Sequence, residues 1–276
     1  MRKALAIAAL VLSALPAVAQ LKLPRVSQHQ TLTQTVGLTD ITINYSRPGV
    51  KGREVWGALV PWAKVWRTGA NEATTIKFTD DVTINGQKLP AGTYSLHTVP
   101  GRDEWIVIFN SVADQWGSYS YDEKKDALRV NAKPQKSDFH EWLTFDFPQI
   151  ADDSATIAIK WENVSVPFTV GVDTRTKAMA NVKAALAAAK ADDWQTRYRA
   201  ASYANDIGDT AEANAWIEDA LKVKPTMQAY YLKARMQAKA GDKAGARASA
   251  AQALKLAGAD DKVVVEEIQR AMESWK

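Results

Sequence analysis

The chain changes character once, near residue 173, and this change constrains the fold more than any other feature. Residues 20–173 carry short runs of alternating polar and apolar residues, separated by turn signals such as Asn85-Gly86 and Pro100-Gly101. From residue 174 onward, 28 of 103 residues are alanine, Pro225 is the only proline, and apolar residues recur at helical spacing. The sequence therefore predicts two domains, a β domain over 20–173 and a helical domain over 174–276.

The first domain is predicted to be an antiparallel β-sandwich. Eight to ten short strands with a turn signal about every ten residues are typical of sandwiches. A parallel sheet would need amphipathic helices between its strands, and the sequence between residues 20 and 173 contains none. The predicted strands are 31–36, 41–45, 74–78, 82–84, 92–99, 105–109, 127–132, 142–147, 155–161 and 166–172.

The helical domain contains an internal repeat. Three segments recur 33 residues further on: Gly208-Asp209 as Gly241-Asp242, Ala213 as Ala246, and Ala220-Leu221-Lys222 as Ala253-Leu254-Lys255. A period near 34 with small residues at helix crossings resembles the tetratricopeptide repeat. The tryptophan and the first-helix glycine of the usual consensus are missing, so a generic alanine-rich helical bundle stays open as the alternative.

The resemblance assigns roles to the repeated residues. Gly208 would end one helix and Asp209 would cap the next, with Glu212 three residues later as in a capping box. Ala213 and Ala220 would allow close helix contact, and Pro225 would close the unit. Further helices are expected at 176–190 and, as a capping helix, at 261–275.

The N-terminus has the pattern of a secretory signal peptide over residues 1–19. A basic start, Met1-Arg2-Lys3, precedes an uncharged apolar run, and Ala17 and Ala19 form a small-x-small cleavage site. Cleavage is expected after Ala19, which predicts a periplasmic or secreted protein. The apolar run is shorter than the roughly 20 residues that span a bilayer, and no later stretch is long enough, so no membrane span is predicted. Loss of Arg2 and Lys3 lowers the net charge from +4 to +2, too little to indicate nucleic-acid binding.

Composition excludes several kinds of chemistry. The chain has no cysteine, which removes disulfides, cysteine-ligated zinc, iron–sulfur clusters and thiol nucleophiles. The three histidines, His29, His97 and His140, lie far apart without metal-ligand spacing, and no glycine-rich phosphate loop is present. Neither a metal nor a cofactor is therefore predicted. His97 alternates with Leu96 in a predicted strand and is expected to be exposed or at the edge of the core.

The connection over residues 45–75 is the strongest candidate for a functional site, because long loops in compact domains commonly carry function. Its cations suit a carboxylate, phosphate or sulfate. Its tryptophans offer flat faces for sugar rings, and its polar side chains can bind hydroxyl groups. Together with Trp116 and Tyr119 of the segment 116–121, the candidate ligand-binding residues are Arg47, Lys51, Arg53, Trp66, Arg67, Asn71 and Glu72. Trp56 and Trp62 are further candidate sugar faces.

A structural interpretation of the same residues stays open. Arg67 would then pair with Glu72 or Glu54 to fix the loop, and the tryptophans would fill the core of the sandwich.

Residues 21–172 resemble the bacterial family labelled domain of unknown function 2911. The longest strings behind the resemblance are Ser46-Arg47-Pro48 with Lys51-Gly52-Arg53, Trp66-Arg67-Thr68-Gly69-Ala70-Asn71-Glu72-Ala73-Thr74, and Leu89-Pro90-Ala91-Gly92-Thr93-Tyr94. Shorter matches are Leu59-Val60-Pro61, Asn85-Gly86, Ser95-Leu96, Trp105 with Ile108-Phe109-Asn110, and Gln115-Trp116-Gly117 with Tyr119 and Tyr121. The resemblance implies an exported bacterial protein, often with a helical repeat tail. It implies no activity, since the family has none assigned.

Three functions follow as expectations. The first is a non-enzymatic protein that binds a small polar or anionic ligand, or an envelope glycan, and docks a protein partner through its helical tail. The second is a hydrolase of a cell-envelope polysaccharide with Glu72 as acid or base, which needs a second carboxylate such as Asp103, Glu104, Asp114 or Asp122. The third is an assembly factor that acts through its repeats.

Overall fold

A computed structural model describes residues 23–276, so the predicted signal peptide over 1–19 lies outside the described residues. Ten strands precede six helices. The strands are β1 (Gln28–Val36), β2 (Thr39–Arg47), β3 (Thr74–Phe78), β4 (Val82–Ile84), β5 (Gln87–Leu89), β6 (Gly92–Val99), β7 (Trp105–Asn110), β8 (Asp126–Ala132), β9 (Gln135–Ile150) and β10 (Ser154–Val172). The helices are α1 (Thr174–Ala188), α2 (Trp194–Asp206), α3 (Thr210–Val223), α4 (Met227–Lys239), α5 (Lys243–Lys255) and α6 (Lys262–Ser274), and a short 3₁₀ turn covers Glu123–Lys125.

The strands form two antiparallel sheets that enclose one core. One sheet has the order β1-β2-β3-β6-β7-β8 and the other has the order β5-β4-β10-β9. Side chains from both sheets, among them Ile43, Phe109 and Phe168, belong to a single buried apolar cluster. The predicted antiparallel sandwich is therefore confirmed, with helices following it.

The last two predicted strands are one long strand. Residues 155–161 and 166–172 both belong to β10, which pairs with β9 and shifts register between Lys160 and Val164. Glu162 lies at this shift with a φ of 54°. A bulge bends a strand without ending it, and the polar Glu162-Asn163 step that resembles a turn in the sequence occupies this bulge.

The predicted helices are present, with caps where the sequence places them. Asp209 and Asp242 are the N-caps of α3 and α5, and their side chains accept hydrogen bonds from the backbone N–H of Glu212 and Gly245. Glu212 forms a salt bridge with Lys183, at 3.1 Å, in place of the reciprocal bond of a capping box. In the described part of the chain, no helix is long and apolar enough to cross a membrane.

Two clusters of apolar side chains hold the helices together. One unites α2, α3 and α4 around Ala201, Ile217 and Leu232. The other unites α4, α5 and α6 around Ala250 and Ile268. Buried alanines at the crossings allow the helices to approach closely, because a methyl group takes little space.

Helix α1 begins two residues after β10 ends and is attached to the sandwich. The Lys177 Nζ donates to the Leu38 carbonyl at 2.7 Å and to the Asp80 carboxylate at 2.5 Å. The Thr174 hydroxyl donates to the Asp152 carbonyl at 2.9 Å. These bonds connect the first helix to the turns that follow β1, β3 and β9.

Candidate functional site

The connection between β2 and β3, residues 48–73, is a fixed loop that runs along one end of the sandwich. The backbones of Trp66 and Thr98 exchange two hydrogen bonds of 2.8 Å, which joins the loop to β6. The Val50 N–H donates to the Glu141 carbonyl at 2.8 Å, and this bond joins the loop to β9. Buried backbone groups need such partners, so the loop keeps its shape without regular secondary structure.

Four tryptophan side chains form a cluster beneath this loop. Trp56 lies 5.0 Å from Trp105, 5.7 Å from Trp161 and 5.9 Å from Trp66, measured between ring centroids. Trp66 stacks on Trp161 at 5.8 Å with an angle of 17° between the rings, and its Nε1 donates to the Gly69 carbonyl. Trp66 is only 9% exposed. The loop tryptophans Trp56 and Trp66 thus fill the core, as the structural interpretation expects.

Two of the four candidate loop cations, Arg47 and Arg53, donate hydrogen bonds to backbone carbonyls. Arg47 donates from Nε to the Leu143 carbonyl at 2.8 Å and from Nη2 to the Thr144 hydroxyl at 2.6 Å, which connects β2 to β9. Arg53 donates to the carbonyls of Val50 and Gly49, at 3.1 and 2.6 Å. Arg47 is therefore occupied by the scaffold, whereas Arg53 also faces a cavity.

A cavity of about 210 Å³ opens between the loop and the N-terminal segment that precedes β1. Its charged lining residues are all cations, namely Lys51, Arg53 and Arg67. The other residues that line the cavity are apolar or small: Val26, Ser27, Pro48, Gly49, Leu59, Val60, Trp66, Gly69, Ala70 and Trp161. The structure thus brings four of the predicted site residues, Lys51, Arg53, Trp66 and Arg67, to one cavity, which we call the cationic cavity.

Arg67 is the unusual member of this set. Its Nε is buried and has no hydrogen-bond partner, and its guanidinium forms no salt bridge among residues 23–276. Burial lowers the pKa of Arg67, with a partial opposing effect from Tyr119. A buried donor without a partner is costly, and no group in the described part of the chain accepts a hydrogen bond from this Nε.

The expected pairing of Arg67 with Glu72 or Glu54 is wrong. Glu72 pairs with Arg25, whose Nη1 lies 2.6 and 2.7 Å from the two carboxylate oxygens. Arg25 precedes β1 and lies 47 positions from Glu72, and the sequence offered no signal for this contact. The ion pair lowers the pKa of Glu72, and both side chains are about half exposed.

The predicted residues Asn71, Glu72, Trp116 and Tyr119 also come together. The Gly117 N–H donates to the Asn71 carbonyl at 3.2 Å, and Glu72 and Trp116 form an isolated antiparallel bridge. The Asn71 side-chain amide donates to the Ser27 carbonyl at 3.1 Å.

The aromatic rings of this segment lie in solvent, with Trp116 58% and Tyr119 84% exposed. A Cβ built on Gly117 would lie 3.8 Å from Arg67 Nη1, so the 116–119 segment borders the guanidinium of the cavity.

His97 is fully buried, which corrects the expectation of an exposed or core-edge residue. Its Nδ1 lies 3.1 Å from the Ser118 hydroxyl, and its Nε2 lies 3.2 Å from the Ser95 hydroxyl. The Ser95 hydroxyl also accepts a hydrogen bond from Gln115 Nε2 at 3.0 Å. The alternation misleads here because the 111–121 loop covers the outer face of β6, so both faces of that strand are buried. Sequence reasoning also missed Ser118 and Gln115.

The His97–Ser118 pair has the geometry of a base beside a hydroxyl nucleophile but not its electrostatics. Burial lowers the pKa of His97 to about 4. No carboxylate hydrogen-bonds to this imidazole among the described residues, and such a group would orient the ring and stabilise its protonated form. An imidazole with this pKa is a weak base near neutral pH, and its contact with Ser118 joins the 116–121 segment to β6.

Fold and site together define a class: a β-sandwich that carries a cationic cavity under one long loop, followed by a helical part. A family model matches residues 27–170, and the chain belongs to that family, described as "Protein of unknown function (DUF2911)". The match confirms the resemblance of the sandwich part. No curated protein and no solved structure in the comparisons matches the chain.

Proposed function

We propose that this protein is a non-enzymatic binding protein whose sandwich takes a small anionic ligand in the cationic cavity. The observation that carries the proposal is the buried Nε of Arg67 without a partner, in a cavity lined by Lys51 and Arg53 and by no carboxylate. Arginine presents two parallel donors to a carboxylate or phosphate, so an anion would complete its hydrogen bonds.

Size restricts the ligand to a small group or to one end of a larger molecule. Pockets for drug-sized ligands occupy roughly 300–1,000 Å³, and this cavity is about 210 Å³. A carboxylate- or phosphate-bearing sugar of the cell envelope is one such ligand. Its ring would contact the exposed Trp116 or Tyr119 while its charge reaches Arg67.

Titration calorimetry tests this proposal with phosphate, sulfate, acetate, a uronic acid and muropeptides. We expect the mature chain to bind at least one of them and Arg67→Gln to lose that binding. The matched control is Arg175→Gln, since Arg175 is an exposed arginine outside the cavity. Absence of binding to every probe, or equal binding by Arg67→Gln, refutes the proposal.

The hydrolase alternative has less support. A general acid needs a raised pKa so that it carries a proton at neutral pH, whereas the ion pair with Arg25 lowers the pKa of Glu72. The lowered pKa leaves only the role of general base for Glu72, and Arg25 occupies that carboxylate. Turnover of an envelope polysaccharide that is abolished in a folded Glu72→Gln variant would support the alternative.

We further propose that the helical part is a tetratricopeptide-like array that docks a protein partner. The support is a repeated hairpin: α2–α3 and α4–α5 are each joined through a glycine of positive φ, Gly208 at 80° and Gly241 at 86°, followed by a capping aspartate. Ala213 and its counterpart Ala246 are both fully buried at the crossings. Solenoids of such pairs present a surface to partners.

A double variant, Ala213→Leu with Ala246→Leu, separates the two functions. Leucine at these crossings forces the paired helices apart, so a partner recovered with the wild type should be lost while anion binding is kept. The assembly-factor alternative predicts the same loss together with unimpaired partner binding in Arg67→Gln. Equal recovery by the double variant excludes the helical surface.

We also propose that the protein is exported after removal of its signal peptide. Cleavage after Ala19 would leave Gln20 as the first residue of the mature chain, and N-terminal sequencing of the protein from the periplasmic or secreted fraction tests this. An intact Met1 in the cellular fraction refutes it.

A further inference from the structure

Five exposed apolar side chains line the cationic cavity or lie next to residues that line it. Val26 and Leu59 line the cavity and are 76% and 42% exposed. Trp116 and Tyr119 border Arg67 through Gly117, as described above. Trp142, 41% exposed, lies against Gly49, since a Cβ built on that cavity-lining glycine would come within 3.1 Å of the indole. We call these five residues the apolar rim.

Twelve large apolar side chains are exposed in the described part of the chain, and five of them gather at this one cavity. Single exposed apolar residues are ordinary, but several around one cavity mark a surface that binds something apolar. Two rim members, Val26 and Leu59, are aliphatic and branched, and they offer no flat face on which a sugar ring could stack. Tryptophan and tyrosine are the side chains that favour the boundary between lipid and water.

The charges around the rim favour an anionic surface. Lys51 lies over the Trp142 ring, with its Nζ 5.7 Å from the ring centroid, so a cation and a rim side chain share one position. Glu72 is paired with Arg25, and Glu141, which accepts the Lys51 backbone N–H at 2.9 Å, does not line the cavity. Lys51, Arg53 and Arg67 thus present cations directly behind the rim.

We infer that this end of the sandwich docks on an anionic phospholipid surface, with a lipid phosphate in the cationic cavity and the apolar rim in the interfacial layer. The inference rests on the proposed function, because the headgroup phosphate occupies the same cavity. Beyond the proposed function, the inference states that the ligand also has an apolar part, which the apolar rim contacts. Apolar burial and attraction between basic residues and acidic lipids act together in such docking.

Vesicle co-sedimentation tests the inference with the mature full-length chain. The probes are phosphatidylcholine vesicles with and without phosphatidylglycerol. We expect binding only to the anionic vesicles. The double variant Trp116→Ser with Tyr119→Ser should weaken it about tenfold or more, since both side chains lose apolar burial. Arg67→Gln should weaken it about fivefold, the share of one basic residue at an anionic surface.

A matched control uses apolar residues of similar exposure in the helical part. Leu256 and Val263 are 45% and 76% exposed, and serine at both positions should leave vesicle binding unchanged. Phosphate and glycerol phosphate in calorimetry report on the cavity alone, and the control with serine at Leu256 and Val263 should bind them as the wild type does.

The outcomes distinguish the two proposals. Binding of free phosphate without binding to anionic vesicles overturns the inference and leaves the proposed function standing. Binding of an acidic oligosaccharide without binding to vesicles also overturns the inference and leaves the proposed function standing. Vesicle binding that is indifferent to the Trp116 and Tyr119 substitutions also overturns it. If neither vesicles nor any free anion bind, both proposals fail.

Discussion

Replacing Arg67 by methionine should stabilise the protein in the absence of ligand. Methionine is unbranched and flexible, so it fills the space of the arginine stem without burying a charge. The buried Nε of Arg67 has no hydrogen-bond partner. An unsatisfied buried polar group lowers the free energy of unfolding by about 1–3 kcal/mol. Arg67→Met should therefore raise the free energy of unfolding by about 1–3 kcal/mol, although most core substitutions lower it.

Arg47→Met is the matched comparison, because the same substitution in the same region should have the opposite effect. Arg47 donates to the Leu143 carbonyl and to the Thr144 hydroxyl. Hydrogen bonds from a charged group contribute about 1.5–3 kcal/mol, and their removal also leaves the Leu143 carbonyl without this donor. Arg47→Met should lower the free energy of unfolding by at least about 1.5 kcal/mol.

Urea unfolding followed by tryptophan fluorescence measures both changes, since Trp66, Trp105 and Trp161 are buried in the folded protein and become exposed on unfolding. Thermal scans should show a shift of about 2–4 °C for each kcal/mol. Ligand should reverse the order of wild type and Arg67→Met. An anion at about 1,000 times its Kd stabilises only the wild type, by about 4.1 kcal/mol, which exceeds the gain expected for the variant. A loss of stability in Arg67→Met without ligand would refute the reasoning, because Arg67 would then be a structural residue.

The remaining predictions concern the rest of the chain. His97 should stay neutral in NMR titrations down to a pH of about 4. The free energy of unfolding should fall as the pH drops from 6.5 toward 4, because in this range only the unfolded chain binds a proton at His97. Titration of His97 near 6.5 in the folded protein would contradict this. Lys177 holds the pKa of Asp80 below 3.8, so the stability difference between wild type and Asp80→Asn should be full above that pH and vanish as the pH falls through the lowered value. A difference that persists in strong acid would show that the carboxylate charge is irrelevant. Asp242→Ala should cost about 0.5–2 kcal/mol in helix stability measured by circular dichroism, and Asp242→Asn, which can still cap, should cost much less.

Features that depend on neighbouring residues were predictable from the sequence. Strand alternation and turn signals indicate the sandwich, and the caps at Asp209 and Asp242 follow from a few consecutive residues. The cations of the 45–75 loop predicted an anion site, and Lys51, Arg53 and Arg67 do lie in the wall of one cavity. Arg47 is bonded to β9 instead, and nothing in its own segment indicates this.

Features that depend on distant contacts were not predictable. Trp66 faces inward because Trp161, 95 positions later, stacks on it, and nothing in either local pattern indicates this contact. Glu72 pairs with Arg25 for the same kind of reason. His97 has the alternation of a half-exposed strand, but a loop from elsewhere in the chain covers that face.

The tryptophan cluster makes the cationic cavity optically distinct. Trp56, Trp66, Trp105 and Trp161 lie with ring centroids 5.0 to 6.5 Å apart, close enough for their electronic transitions to couple. Coupled indoles produce paired bands of opposite sign in the ultraviolet circular dichroism spectrum, and the shape of these bands follows the angles between the rings. Because Trp66 and Trp161 also form part of the cavity wall, a ligand that turns either ring should alter the bands, so the unlabelled protein contains its own reporter of occupancy.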